Sequence, residues 1–546
     1  MRNSKTDSGL TVKAVAGTHV VLLGMNLPKQ SARRLLGFAI QREDHTEGER
    51  YWMSGMKTFE ATDPGMGPGG QVSSRQHPFQ SFQWADYSAK PGHEYTYRVV
   101  AMRGTPASLQ EGEAVEVRVT TESEDQGVHA VYFNRGAVGT QEYARRFQNK
   151  DPEEVGPAAF NWLSRGLVEA LLAFIGKANG AGWELYGAVY EFEQPEVLGA
   201  VRQAKLNGAK VQIVYDANGA AEDNDEAIDQ AHIRGLCTPR TKAKISHNKF
   251  FVLVKNGQPR EVWTGSTNLT KNGIYGHSNL GHVVRDPQVA AAYLDYWKQL
   301  KTDPTGAVLK SWTAANSPAP PAAANRPITQ VFSPRPNLKA LDWYRDLAAS
   351  AQRGLFMTFA FGMHNHFVEV YDQTDDVLRF ALMEKKGMQA AQAAEVDRIR
   401  RLPNCIVAVG NRIITNSFDR WLAEKTKIDP HAHVLYIHTK YMLVDPLGDN
   451  PVVVTGSANF SKASTDTNDE NMLVIRGNKA VADIYLGEFM RLHSHFAFRE
   501  AVAIAKAKGE EWNPKHLVPD DSWTSEHYRD GSARQPRREY FSGPAQ

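Results

Sequence analysis

Three scarcities bound this 546-residue chain. It has two cysteines, Cys237 and Cys405. Two thiols cannot build a disulfide framework, so stability must rest on a packed core, and the expectation is two buried free thiols. Net charge is scarce as well: 63 Lys and Arg against 61 Asp and Glu leave +2. That excludes a global field drawing the protein to nucleic acid or anionic membrane and leaves room only for a local basic cleft. Long apolar runs are missing too. The best apolar helix, Gly166 to Ile175, is short and carries Glu169, whereas a membrane-spanning helix needs roughly 18 or more apolar residues. Residues Met1 to Gly9 are polar and lack the apolar centre of a signal peptide. A cytoplasmic protein is the expectation, with secretion by a signal-independent route as the other reading.

What is present is a repeat of polar residues. His247-Asn248-Lys249 and Gly265-Ser266-Thr267-Asn268 recur as His438-Thr439-Lys440 and Gly456-Ser457-Ala458-Asn459. The interval from histidine to first glycine is 18 residues in both copies, and from histidine to asparagine it is 21. At a constant offset of 191, without gaps, residues 247–285 and 438–476 also match at Gly257/Gly448, Thr264/Thr455, Lys271/Lys462, Val283/Val474 and Arg285/Arg476. An ungapped match that falls on polar residues repeats chemistry rather than packing.

In chain order, residues 1–125 read as short alternating strands separated by turn residues, among them Thr11 to Val15, Val20 to Leu23 and Ala114 to Val119. A Pro91-Gly92 turn leads into Tyr95-Thr96-Tyr97-Arg98-Val99, with Tyr95 placed to fix a corner through its hydroxyl. This resembles a fibronectin type III domain, a β-sandwich, which implies a spacer, a module that binds a partner, or support for a lid. Gly65-Met66-Gly67-Pro68-Gly69-Gly70 satisfies G-x-G-x-x-G. No strand precedes it and proline stands where a helix would begin, so it reads as a loop.

Past a polar hinge at 121–127, strands and helices alternate. The first half, 128–313, reads as strand Ala130 to Phe133, helix 139–150, helix Trp162 to Lys177, strand Trp183 to Tyr190, helix Pro195 to Leu206 and strand Lys210 to Tyr215. A Pro/Ala linker at 314–327 separates it from a second half, 328–505. There the programme restarts with strands Gln330 to Ser333, Leu355 to Phe361 and Cys405 to Val409, and a helix is expected from Val377 to Lys386. Residues 506–546 lack periodicity and are expected to form an irregular tail, laid on the body by Trp512, Trp523, Tyr528 and Tyr540. The fold class is α/β: two similar halves behind an all-β sandwich.

Lys244 to Val254 and His433 to Val444 alternate like strands, so a histidine and a lysine two residues apart share a face. A second strand, Glu261 to Thr264 or Val452 to Thr455, ends in Gly-Ser-x-Asn. The glycine admits close backbone approach, and Asn268 or Asn459 adds an amide donor. Each half thus offers an imidazole, an ammonium and an amide, a set that suits a phosphate. Two halves together can hold a phosphodiester. One histidine attacks phosphorus, the other protonates the leaving oxygen and later activates water, and the lysines and amides stabilise the equatorial oxygens. This chemistry requires no metal and no cofactor.

The arrangement resembles the phospholipase D superfamily, whose signature is H-x-K-x4-D with G-S-x-N downstream. The second copy matches in full at His438, Lys440, Asp445, Gly456, Ser457 and Asn459, and the first departs at Val254, where the signature has aspartate. The resemblance implies two α/β/α sandwich halves related by pseudo-twofold symmetry, a phosphohistidine intermediate, and supporting roles for Ser266, Ser457 and Asp445. Thirty-two residues after the histidines stand Asn279 and Glu470, where superfamily members place a carboxylate or amide behind a catalytic histidine. Tyrosyl-DNA phosphodiesterases look similar in having one of each, and there the pairing crosses between halves. By that resemblance Glu470 backs His247 as nucleophile and Asn279 sets His438 as general acid; pairing within each half would invert the roles.

Two substrate classes fit. Near-zero charge and the lack of a basic tail or stacking series favour a phospholipid headgroup. The compact Gly-Ser-x-Asn form and the Asn279/Glu470 asymmetry favour DNA or RNA, cleaved by a nuclease or an end-processing enzyme. Transfer to an alcohol instead of water is a variant of the first. A catalytically inactive binding scaffold is the reading from another class, with Val254 as its one support. Both half-sites lie in one chain, so catalysis requires no oligomer. His431 and His433 have the look of metal ligands but read more simply as surface groups. His277 and His282 flank Asn279 and either line the cleft or pack. Lys242, Lys244, Lys271, Lys462, Arg285 and Arg476 read mostly as solvated charges, and Trp263 as core.

Overall fold

Runs such as Phe250 to Val254 and Phe380 to Met383 are apolar without alternation, and strands of that kind must be covered on both faces. In the computed structural model, which describes residues 1–66, 70–322, 326–387, 389–410, 436–509 and 516–543, these runs lie in two seven-stranded sheets. The first runs His129–Phe133, Leu280–Val284, Gln258–Gly265, Lys249–Lys255, Trp183–Val189, Lys210–Asp216, Cys237–Arg240. The second runs Ile328–Ser333, Glu470–Arg476, Val452–Gly456, Tyr441–Val444, Gly354–Phe359, Leu378–Met383, Cys405–Val409. Position for position the strand directions agree: the last three strands of each sheet are parallel and the remaining neighbours antiparallel. The halves are two copies of one α/β unit.

The core does not stop at the boundary between them. The 29-residue helix Lys479–Ala507 belongs to the second half by sequence. Yet the Tyr485 ring on it meets Phe133 of the first half and Tyr441 of the second, each at 5.2 Å. The same helix presents Glu488, fully buried, to the guanidinium groups of Arg165 and Arg491 at 2.8 Å. Burial alone would raise its carboxyl; the two arginines outweigh burial and hold it down at about 2.

Several expected elements change. Residues Val377 to Lys386 are not a helix: Leu378–Met383 is a strand lying parallel between Gly354–Phe359 and Cys405–Val409. The helix-forming Leu, Ala and Met are overridden by cross-strand packing in a buried sheet. Trp162 to Lys177 is not one helix. Arg165 and Gly166 take positive φ (50° and 89°), and the chain breaks into Pro157–Ser164 and Leu167–Gly176, bent by 86°. Among the described residues no single helix is long and apolar enough to cross a membrane. The helix Gly306–Asn316 runs into the Pro/Ala segment expected to begin at 314. Gly67 to Gly69 of the G-x-G-x-x-G run, Trp512, His431 and His433 lie outside the described residues.

The N-terminal region is a pair of four-stranded antiparallel sheets. One joins Arg2–Asp7, Leu10–Ala16, Val21–Asn26 and Gln83–Asp86; the other joins Ser108–Thr120, Glu94–Thr105, Gly37–Asp44 and Glu49–Trp52. The backbone N–H of Lys90 donates to the Tyr95 hydroxyl at 2.9 Å, which fixes the corner ahead of the Glu94–Thr105 strand. The tail is not irregular. Residues Asp521–His527 form a 3-10 helix and Arg534–Ser542 an α-helix. Trp523 enters the sandwich core and donates from its indole to Leu35 O at 2.8 Å, and Tyr528 donates to Leu27 O at 2.7 Å. Tyr540 packs on Phe356 of the second half at 5.6 Å. Tertiary contact, not periodicity, orders this segment. It also adds a large aromatic to Phe38 and Phe82 of the sandwich core. Trp523→Ala is expected to cost about 3–5 kcal/mol in denaturant unfolding, and Trp523→Phe distinctly less. A cost below about 1 kcal/mol, the range of surface substitutions, would show that the tail does not complete the core.

Candidate active site

The two motif strands begin at Lys249 and Tyr441. The histidines stand just ahead of them, in the connections that lead in, and each connection is clamped by the opposite half. The His247 N–H donates to Asp469 O at 3.0 Å, and the His438 N–H donates to Ser278 O at 3.2 Å. Asp469 and Ser278 immediately precede Glu470 and Asn279. Each ring then reaches the next residue: His247 Nδ1 donates to Glu470 Oε2 at 2.9 Å, and His438 Nδ1 donates to Asn279 Oδ1 at 2.9 Å. The pairing crosses between halves. Neither half contains a complete histidine site.

The Gly-Ser-x-Asn loops explain themselves from the same contacts. A Cβ on Gly265 would lie 2.2 Å from Leu280 O, and one on Gly456 2.3 Å from Asn471 O; only glycine fits so close to the neighbouring strand. The following serines hold the residues behind the histidines. Ser266 Oγ donates to Asn279 Oδ1 at 2.8 Å, and Ser457 Oγ to Glu470 Oε2 at 2.6 Å. Asn279 Nδ2 donates to Gly273 O at 2.7 Å, which fixes the amide with its oxygen toward His438. With Nδ1 of each imidazole engaged as donor, Nε2 is the atom left for chemistry. The two rings stand 6.4 Å apart between centroids, at 77°, a gap on the scale of one phosphoryl group.

Lys249 Nζ donates to His247 O at 2.7 Å and Lys440 Nζ to His438 O at 2.6 Å. Both side chains are buried, with residue exposures of 3% and 1%. Burial lowers both ammonium groups, Lys249 to about 8 and Lys440 well below its ordinary value, and each has the other's charge or a carboxylate nearby. Burial also lowers His247, against the pull of Glu470, and lowers His438 strongly, with Lys440 and His277 adding to the effect. Two lysines and two imidazoles crowd one buried space, a set of donors that suits an anion.

Asp445 sits elsewhere. Its carboxylate accepts from the backbone N–H groups of Gln352, Arg353 and Gly354 at 2.8–2.9 Å, at the start of strand Gly354–Phe359 and the far end of Tyr441–Val444. It shapes a turn. The first half has Val254 at that position, 1% exposed, inside a strand that continues to Lys255, so its departure removes nothing from the cleft. His277 packs on His438 with rings 5.7 Å apart, whereas His282 is buried elsewhere against His129 and Tyr485, at 2.9 Å from each. Lys271 pairs with Glu153, Lys462 with Asp466, and Arg285 with Asp125 and Glu261. Trp263 is core, stacked on Tyr132. The thiols of Cys237 and Cys405 are free, and burial pushes both up to about 12.

Sequence reasoning passed over several residues at the site. Arg240, fully buried, binds Asp469 at 2.8 Å and Asp303 at 2.7 Å and so steadies the carbonyl that holds His247. Tyr190 lies with its ring 5.1 Å from both the His247 ring and Lys249 Nζ. Glu191 accepts from Asn268 Nδ2 at 2.5 Å. All three sit where strand register, not motif spacing, decides proximity; the cluster Glu191, Glu193, Glu196 beyond the strand end was the only local signal.

A lysine near 8 has a testable consequence. The protonated ammonium binds an anion, so inhibition by inorganic phosphate should weaken as pH rises through 8, by about tenfold per pH unit above it for one titrating group. Inhibition constants from pH 7 to 9.5 check this; a profile flat to pH 9.5 would contradict it.

A family model described as cardiolipin synthase, phospholipase D-like domain, matches residues 171–301 and 409–493. No curated protein matches the chain. Similar solved structures include phosphatidylserine synthase from Haemophilus influenzae Rd KW20, at 11% identity over 64% of this chain and 93% of that one, TM-score 0.40. Nuc, a phospholipase D family member from Salmonella typhimurium, is 18% identical over 31% of this chain and 94% of that one, TM-score 0.23. Yeast tyrosyl-DNA phosphodiesterase is 11% identical over 56% and 88%, TM-score 0.33. The two segments that the family model matches contain the two copies of the repeat, and the paired α/β halves of this chain are similar to that phospholipase D-like domain.

Proposed function

We propose that this protein is a phospholipase D-type phosphodiesterase that hydrolyses a phosphodiester in two steps through a phosphohistidine, with a phospholipid headgroup as the favoured substrate. The observation that carries the reading is the crossed pairing of His247 with Glu470 and of His438 with Asn279. A carboxylate behind an imidazole stabilises the cation that forms when the ring becomes covalently bound; an amide only orients. His247 Nε2 therefore attacks phosphorus while His438 Nε2–H protonates the leaving oxygen. Water then attacks the phosphohistidine, His438 takes its proton, and the P–N bond to His247 breaks. Lys249, Lys440, Asn268 and Asn459 hold the non-bridging oxygens throughout. The depressed His247 suits a nucleophile with a free lone pair at neutral pH. His438 is depressed further, so its acid form depends on the negative charge that the substrate brings.

The lipid reading draws on the rim. Asp216 Oδ1 accepts from Ser246 N, next to His247, and Asp216 Oδ2 accepts from Ala220 N at the start of helix Ala221–Gln230. The first turns of that helix expose Glu222, Asp223 and Glu226. An acidic helix tied through Asp216 to the connection that carries His247 disfavours a polyanion more than a single diester.

Wild type is expected to hydrolyse bis-p-nitrophenyl phosphate in EDTA, with His247→Ala and His438→Ala down by about 10³-fold or more and Glu470→Gln by about 10²-fold. No turnover by wild type, or loss of turnover in EDTA, would contradict the metal-free mechanism. Labelled phosphatidylcholine vesicles should be cleaved faster than single- or double-stranded DNA and RNA; the reverse order would favour the nuclease reading.

A further inference from the structure

The first two strands of each sheet run from the catalytic cleft to the opposite pole. Leu280–Val284 starts beside Asn279, and Glu470–Arg476 starts at Glu470 itself. Their antiparallel mates begin where these end: His129 lies opposite Val284, and Ile328 opposite Ile475. A cavity of about 770 Å³ opens at those far ends, with His129, Asp286, Arg326, Gln330, Arg476 and Lys479 in its walls. The seven-residue strand Glu470–Arg476 puts it roughly 20 Å from the catalytic pair.

The walls carry unbalanced positive charge. Arg285 and Arg476 are matched positions of the repeat, and only the first is neutralised. Arg285 pairs with Asp125 and Glu261, whereas the position matching Glu261 is Val452. Among the described residues Arg476 has no carboxylate partner, and burial lowers it unopposed. Arg326 and Lys479 add two more cations. Lys479 meets Asp449 at 2.7 Å in a pair open to solvent, which holds it weakly. The one carboxylate in the walls, Asp286, accepts from the N–H groups of Gln288 and Val289 at 2.8 and 3.0 Å. Three cations against one engaged carboxylate leave a surplus that suits an anion.

The inner wall offers an acceptor instead. His129, 4% exposed, ends a buried chain of hydrogen bonds. The Tyr485 hydroxyl donates to Thr455 Oγ1 at 3.2 Å and accepts from His282 Nδ1 at 2.9 Å. His282 Nε2 then accepts from His129 Nδ1, also at 2.9 Å. Burial keeps both rings neutral: His129 is brought down to about 4, and His282 lies well below its ordinary value. In that tautomer His129 Nε2 keeps its lone pair. It has no partner among the described residues, and His129 lines the cavity. A buried acceptor of this kind calls for a donor.

We infer that this cavity is a second ligand site, for a small phosphate monoester that also carries hydroxyl or amino donors. The phosphate is held by Arg476, Arg326 and Lys479, and one donor reaches His129 Nε2. A monoester carries about two negative charges at pH 7 and so matches the surplus better than a diester or a carboxylate. Val289, Ile328 and Ile475 give its body an apolar bed. Isothermal titration calorimetry of the full chain with adenosine 5′-monophosphate, ribose 5-phosphate, inorganic phosphate and adenosine tests this, with hydrolysis of bis-p-nitrophenyl phosphate as the separate readout of the catalytic cleft. At least one of the two monoesters should bind at a site that does not compete with the diester. Arg476→Ala should weaken that binding by about tenfold or more, the scale of a charge-assisted contact, and leave diester kcat/KM and its inhibition by inorganic phosphate unchanged. His129→Leu should weaken the monoester but not inorganic phosphate. Failure of both monoesters to bind outside the cleft overturns the inference, as does binding that survives Arg476→Ala intact. Adenosine binding as tightly as its monophosphate would also overturn it.

Discussion

Each motif histidine is held by the half it does not belong to. The backbone of His247 is fixed by Asp469 and its ring by Glu470; the backbone of His438 is fixed by Ser278 and its ring by Asn279. Much of the remaining structure secures these four contacts. Glycines 265 and 456 let the loops close on the neighbouring strands, serines 266 and 457 orient the two backing side chains, and Arg240 anchors Asp469. The helix Lys479–Ala507 and its buried Glu488 between two arginines bind the halves into one core. A site assembled across an interface is only as precise as that interface, which gives a physical reason for so much buried aromatic and ionic contact there.

The symmetry of the backbone is close and the symmetry of the chemistry is not. The two sheets repeat strand by strand, yet the residues behind the histidines differ. A duplicated scaffold supplies matched donors for a phosphate. The departures from symmetry give the two histidines different partners, a carboxylate for His247 and an amide for His438. Electrostatics adds to the asymmetry: burial depresses the two lysines and the two histidines of the free site, His438 more strongly than His247, which has Glu470 behind it.

The site was legible in the sequence because its chemistry is repeated at fixed spacing. His247, Lys249, Asn268 and their mates at 438, 440 and 459 lie at the ends of one pair of adjacent strands in each half, so a fixed spacing along the chain gives a matched position. The same holds for Asn279 and Glu470, although only a resemblance suggested that they pair crosswise. Glu191 and Arg240 were not legible, since each reaches the site from a different strand whose register is set by the whole sheet. The strand Leu378–Met383 was misread as helix because a buried parallel strand and a buried helix carry the same apolar signal. The tail was misread as irregular because its order comes from Trp523 and Tyr528 entering another domain's core, a contact spanning almost the whole chain.

The division of roles between the histidines can be read from a trapped intermediate. With bis-p-nitrophenyl phosphate the leaving p-nitrophenolate needs little acid, so His438→Ala should still form the adduct and then stall for want of a base. Rapid mixing should show a burst of about one p-nitrophenolate per protein molecule, the stoichiometry of a covalent intermediate, and peptide mapping under alkaline conditions should place the phosphoryl group on His247. An adduct on His438 in the His247→Ala protein, with none on His247 in His438→Ala, would contradict the assignment and reverse the two roles.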